Sequence, residues 1–149
     1  MKLLKSSLRR AKKKAAGRLG TVNCGTKGAH AQIIYEDGDI LILNKPSGML
    51  SQKSAPDDFS ANDFVIGYLL ETGQLTEENL NTFRPSVCNR LDRNTSGLLI
   101  AGKSIRGLQE MSAQLRTRDI LKYYLCLVKG RLETEGHLKG YLKKSKENN

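Results

Sequence analysis

Long apolar runs are missing from this chain. Ile40–Leu43, for example, is stopped by Asn44, Lys45 and Pro46, far short of the roughly 18 residues that a helix needs to cross a bilayer. No membrane-spanning helix is therefore expected. Cysteine is scarce: Cys24, Cys88 and Cys126 are widely separated and odd in number, with no CxxC pair. That excludes a disulfide framework and favours a reducing, cytoplasmic setting. His30 and His137 lack convergent Cys or carboxylate partners, so no metal site is expected, and neither a Ser-His-Asp nor a Cys-His arrangement is indicated. A GxxxxGK[ST] phosphate loop is also missing. Acidic residues are absent before Glu36, whereas Lys2, Lys5, Arg9, Arg10, Lys12, Lys13, Lys14, Arg18 and Lys27 all fall in that stretch.

What is present is an ordinary, somewhat polar composition, 38% hydrophobic and 27% charged, which is not too charged to collapse. A chain of 149 residues fits one domain and, folded compactly, buries about two-thirds of its unfolded surface. The formal charge of +10, from 25 Lys and Arg against 15 Asp and Glu, attracts polyanions at long range. Residues 1–32 read as a basic arm or linker whose side chains neutralise phosphates, and the bland alternatives are a solvated tail or an organellar address. A secretory signal fits poorly, because no adequate apolar stretch follows Met1–Leu4.

Compact structure is expected to begin at Ile33. Ile33–Tyr35 and Ile40–Asn44 are strand-like runs separated by Glu36-Asp37-Gly38-Asp39, which favours a tight reversal. Pro46 biases Lys45 away from helix, so Lys45-Pro46-Ser47-Gly48 ends the second strand in a loop. Ser60 and Asp63 have capping-box spacing, and Phe64, Val65, Tyr68 and Leu69 give the following helix an apolar face ending near Thr72-Gly73. A short helical turn near Thr76–Leu80 precedes two further strand-like segments, Val87–Leu91 and Leu98–Ala101. From Ser104 to about Arg118, Ile105, Leu108, Met111 and Leu115 recur at helical spacing. Ile120–Val128 then alternates as a strand, with Lys122, Tyr124 and Cys126 on one side and Tyr123 on the other, as the core tyrosine. The polar tail through Asn149 carries no recognisable closing element, and the domain is expected to be incomplete.

Chemistry is expected at the polar interruption Asp92-Arg93-Asn94-Thr95-Ser96-Gly97, because strands on either side hold such a loop in position. Arg90 and Arg93 beside Asp92 favour an ionised carboxylate suited to nucleophilic or electrostatic work, and they can equally contact phosphate. Taken alone, the cluster is also what a surface ion pair looks like. Thr95, Ser96 and Gly97 can brace the loop or simply form its turn. Lys45 offers a further phosphate contact. A glycosidase pair between Asp92 and one of Asp57, Asp58, Glu77 or Glu78 is an alternative that spacing cannot support.

Three of these segments are similar to a known family. Ile33-Ile34-Tyr35-Glu36-Asp37-Gly38-Asp39-Ile40-Leu41-Ile42-Leu43-Asn44-Lys45-Pro46-Ser47-Gly48 resembles the opening of the catalytic domain of RluA-like RNA pseudouridine synthases. Arg90-Leu91-Asp92-Arg93-Asn94-Thr95-Ser96-Gly97-Leu98 resembles the central signature, and Lys122-Tyr123-Tyr124 the basic-x-tyrosine motif. The resemblance implies that Asp92 is the catalytic aspartate, Arg90 an RNA contact near the flipped uridine, and Tyr124 the active-site tyrosine. Arg93, Lys45 and Lys122 are then further RNA-binding candidates. Where the family often has histidine before the signature, this chain has Asn89.

The implied fold is α+β, a mixed, largely antiparallel sheet with covering helices, forming the N-terminal half of the family's catalytic domain over residues 33–149. The implied activity is isomerisation of uridine to pseudouridine in RNA, with ribosomal RNA as the expected partner, no cofactor, no membrane association and a monomer as the default. Because the later family motif is absent, the 149-residue chain alone is expected to turn over little or nothing. The alternative is an inactive RNA-binding fragment of such an enzyme.

Overall fold

A computed structural model of the chain describes residues 21–23, 30–131 and 133–141. The basic residues from Lys2 to Arg18, and Lys27, lie outside the described residues. A five-stranded sheet organises the rest: β1 (Thr21–Asn23), β2 (His30–Glu36), β3 (Ile40–Lys45), β4 (Ser86–Val87) and β5 (Gly97–Gly102). Their order is β1-β2-β3-β5-β4, and every pairing is antiparallel. Among the described residues three helices accompany it, α1 (Ala61–Glu71), the single turn α2 (Asn79–Thr82) and α3 (Ile105–Thr117). The architecture is α+β with an antiparallel sheet and covering helices, as the family resemblance implies. No helix among the described residues is long and apolar enough to cross a membrane.

The β2–β3 hairpin closes where expected. Asp37 accepts from the amides of Asp39 and Ile40, both at 2.8 Å, so the turn is held by a side chain that mimics a backbone acceptor. A bulge at Ile34 interrupts the register, which jumps from Ile33↔Leu43 to Tyr35↔Ile42. The extra residue breaks the two-residue alternation, and Ile34 and Tyr35 are both exposed as a result. β3 alternates cleanly, with Leu41, Leu43 and Lys45 buried, and Leu99 and Ala101 of β5 join the same core. Phe64, Val65 and Leu69 of α1 complete it.

Local chemistry sets the helix ends. Ser60 and Asp63 form the expected capping box: Asp63 accepts from the Ser60 amide at 3.0 Å, and Ser60 Oγ accepts from the Asp63 amide at 3.4 Å. Ser104 caps α3, accepting from the Gly107 amide at 3.0 Å. α3 also approaches the hairpin closely, since a Cβ on Gly107 would lie 2.2 Å from the Asp39 carbonyl oxygen. Glu36 accepts from Lys103 Nζ at 2.7 Å, from Tyr68 Oη at 2.6 Å and from Gln74 Nε2 at 2.8 Å, tying β2 to α1 and to the β5–α3 junction. Burial alone would raise the Glu36 pKa, but these three hydrogen bonds outweigh it and hold the carboxyl below its ordinary value. The same bond, with burial, pushes the Tyr68 phenol up to about 12.

Three expectations are corrected. The sheet begins before Ile33, because β1 pairs with β2 through Val22↔Ala31 and neighbouring positions, and a three-residue strand is too short to show a period. β4 stops at Val87 and does not run to Leu91. Ile120–Val128 forms no strand: all of residues 121–128 are exposed, including Tyr123 at 86%, so Tyr123 is not a core tyrosine. Alternation gives a segment two faces, but a strand exists only when a neighbour takes up its amides and carbonyls, and no described strand pairs with this one.

Candidate active site

The polar interruption between β4 and β5 is held carbonyl by carbonyl. Leu91 O accepts from Ser51 Oγ at 2.6 Å, and the same hydroxyl oxygen accepts from the Leu91 amide at 2.9 Å. Asp92 O accepts from the Thr95 amide at 3.1 Å, closing the turn. Arg93 O accepts from the Gly48 amide at 2.7 Å and from Lys45 Nζ at 3.3 Å, and Asn94 O accepts from Ser47 Oγ at 2.9 Å. Four successive backbone acceptors are thus fixed, three of them by the 45–51 segment. Gly97 ends the loop at φ 132, a conformation that side-chain-bearing residues rarely adopt.

The side chains on this frame are free to meet a ligand. Arg90, Asp92, Arg93, Asn94 and Ser96 are exposed, while Leu91 and Thr95 are partly buried. Among the described residues no ion pair joins Asp92 to Arg90 or Arg93, so proximity in sequence does not become a salt bridge here. A carboxylate fixed through its backbone and open to solvent is accessible to an incoming electrophile, and flanking guanidinium groups remain available to phosphates.

Lys45 is the surprise. Expected as a phosphate contact, it is fully buried, and its ammonium donates to Met49 O at 2.8 Å, Pro46 O at 3.2 Å and Arg93 O at 3.3 Å. A buried ammonium needs such acceptors to offset its lost hydration, and their arrangement makes Lys45 a clamp between the 46–49 turn and the Asp92 loop. Its place in phase with Leu41 and Leu43 on β3 was the signal in the sequence. Ser51 was missed altogether, because nothing local marks a serine that bonds a residue 40 positions away.

A cleft of about 760 Å³ opens beside the loop. Asn89, Leu91, Asn94, Thr95, Ser96, Gly97 and Leu98 line one part of it, and residues 120–125 line another, with Lys122 and Tyr124 among them. Ile42, Ile100 and Leu115 add apolar surface. The structure therefore brings Lys122 and Tyr124 to the same cleft as Thr95, Ser96 and Gly97. Asp92 stands outside this lining, between its lining neighbours Leu91 and Asn94.

A family model described as RNA pseudouridylate synthase matches residues 39–149. Ribosomal large subunit pseudouridine synthase D of Borreliella burgdorferi is 34% identical over 119 residues, which cover 78% of this chain and 36% of that protein. Ribosomal large subunit pseudouridine synthase C of Vibrio cholerae is 34% identical over 108 residues, covering 69% of this chain and 30% of the relative. The chain spans about a third of the length of these curated relatives. Among solved structures, human RNA Pseudouridylate Synthase Domain Containing 4 aligns with a TM-score of 0.47 at 18% identity, over 78% of this chain and 35% of that one.

Proposed function

The chain belongs to the RNA pseudouridylate synthase family, and on that premise we propose that it carries the Asp92-bearing part of a site that isomerises uridine to pseudouridine in RNA. The observation that supports this most directly is the loop geometry: four consecutive carbonyls are tied down while the Asp92 carboxylate stays exposed. Such an arrangement holds a reacting group in place without burying it, which is what positioning over a ribose requires.

The reaction breaks the bond between the sugar C1′ and uracil N1, turns the base, and forms a bond from C1′ to C5. The C5 proton is lost and N1 gains one, so nothing is added or removed overall. A base inside a helix must leave its stack to reach Asp92, at a cost of a few kcal/mol. Tyr124 in the cleft offers an aromatic face to the displaced uracil, and Lys122, Arg90 and Arg93 offer positive charge to the backbone around it. Ribosomal RNA is the substrate in this reading, because the relatives above bear ribosomal names.

A second reading, RNA binding without turnover, is favoured by the exposure of Leu121, Tyr123 and Leu125, which line the cleft. A site with so open a wall holds substrate loosely, and rate falls steeply with misplacement. Mass or chemical-labelling detection of pseudouridine in ribosomal RNA separates the two. Product from the 149-residue chain that disappears in Asp92→Asn supports the enzyme. Salt-dependent RNA binding with no product supports the second reading, and undiminished product from Asp92→Asn sinks the assignment of Asp92.

A further inference from the structure

Asn89 does something its position in the sequence does not announce. β4 pairs with β5 through Ser86↔Gly102 and Val87↔Ala101, and Cys88 adds one more bond, from its amide to Ile100 O at 2.7 Å. Continuing that register would set Cys88 opposite Ile100 and Arg90 opposite Leu98. The Cys88 carbonyl would then accept from the Ile100 amide, and the Arg90 amide would donate to the Leu98 carbonyl. Neither bond forms. The Ile100 amide donates instead to Asn89 Oδ1 at 2.9 Å, and Asn89 Nδ2 donates to Leu98 O at 3.2 Å.

A carboxamide carries the same acceptor and donor pair as a peptide group. We propose that Asn89 is a positioning residue whose side chain replaces the backbone of the next two ladder positions, so that the chain can leave the sheet at Arg90 and carry Asp92 into the cleft's edge without leaving β5 unsatisfied. Without this substitute, two polar groups on β5 would face an opened edge, and the ladder would gain by drawing Arg90 back into the sheet. With it, the departure point is fixed on one side by Asn89 and on the other by Ser51, whose hydroxyl group accepts from the Leu91 amide and donates to the Leu91 carbonyl. Both amide functions face protein backbone, so Asn89 lines the cleft without reading the base. The inference rests on the reading of Asp92 as the reacting group.

The test is amide hydrogen exchange on the 149-residue chain, residue by residue, in wild type, Asn89→Ala and Asn89→Asp. Asn89→Ala removes both bonds, and exchange at Ile100, Leu91 and Thr95 should accelerate about tenfold or more, the effect of losing one hydrogen bond of ordinary strength. The Phe64 amide, bonded to Ser60 O in α1, should hold within about twofold and so reports that the fold survives. Asn89→Asp keeps an acceptor but no donor, so Ile100 should stay protected while Leu91 and Thr95 loosen. Uniform acceleration of all four amides would overturn the proposal, since it marks general destabilisation. Acceleration at Ile100 alone would overturn it too, because the loop would then stand without Asn89. Exchange needs no turnover, so failure of the pseudouridine assay and failure of this pattern are separate results.

Discussion

Replacing Lys45 by methionine tests whether the clamp stabilises the loop or merely occupies space. The two side chains are of similar length and both unbranched, so packing beneath β3 is kept and the ammonium is removed. Three acceptors lose a donor, but unequally. Arg93 O keeps the Gly48 amide at 2.7 Å, and Pro46 O keeps the Met49 amide at 3.4 Å. Met49 O, bonded to Nζ at 2.8 Å, keeps no partner among the described residues, and an orphaned buried acceptor costs about 1–3 kcal/mol. Losing the two longer charge-assisted bonds adds about another 1 kcal/mol each, while no longer burying an ammonium returns part of that sum. The net expectation is a loss of about 2–3 kcal/mol, read as a lower urea midpoint at unchanged m-value. A change smaller than about 0.5 kcal/mol, or a gain, would refute the clamp and show that burying the charge costs as much as its bonds contribute.

Gly107→Ala should destabilise by about 1–3 kcal/mol in the same urea assay, because the new Cβ would lie 2.2 Å from the Asp39 carbonyl oxygen and backbone must move to admit it. For RNA carrying the target uridine, Tyr124→Phe should bind nearly as wild type, whereas Tyr124→Leu should lose about 1–3 kcal/mol of affinity, since only the second removes the stacking face; equal losses would assign the effect to the hydroxyl. Glu36 has its folded pKa below its ordinary 4.5, so its contribution is present above that value and lost as pH falls through the folded pKa. Tyr68 runs the other way: raised from 10.0 to about 12, it contributes below pH 10 and loses that contribution between about 10 and 12. Urea midpoints across both windows should show each loss in wild type and neither in Glu36→Gln, whose neutral amide removes the cause of both shifts; an unchanged acid limb in that variant would refute the Glu36 account.

Features set by neighbours in sequence were legible, and those set by distant partners were not. The capping box at Ser60 and Asp63, the Asp37 turn and the helical spacing from Ser104 all arise within three or four residues, where spacing is geometry. Ser51 meeting Leu91, or Lys45 meeting Arg93 48 positions on, depends on how the sheet brings two loops together. Lys45 is the instructive case, because phase alone puts it on the buried face with Leu41 and Leu43, and its charge drew attention away from that. Ile120–Val128 errs in the opposite sense: its alternation is present, and its ladder partner is not among the described strands.

The two signatures that mark the family therefore differ in kind. Residues 90–97 leave Arg90, Asp92 and Arg93 exposed, whereas Lys45, Ser47 and Gly48, with nearby Ser51, spend their polar groups on the backbone of that same loop. A loop of this polarity has little apolar surface with which to fix itself, so its shape must come from hydrogen bonds, and those bonds need donors from elsewhere. β3 delivers them because it is the direct neighbour of β5: Lys45 pairs with Gly97, the loop's last residue. The antiparallel register thereby sets the end of one motif beside the end of the other. A one-residue slip of β3 against β5 would turn Lys45 from the buried face to the exposed one and leave Met49 O without its donor, so the pairing that builds the core also builds the site.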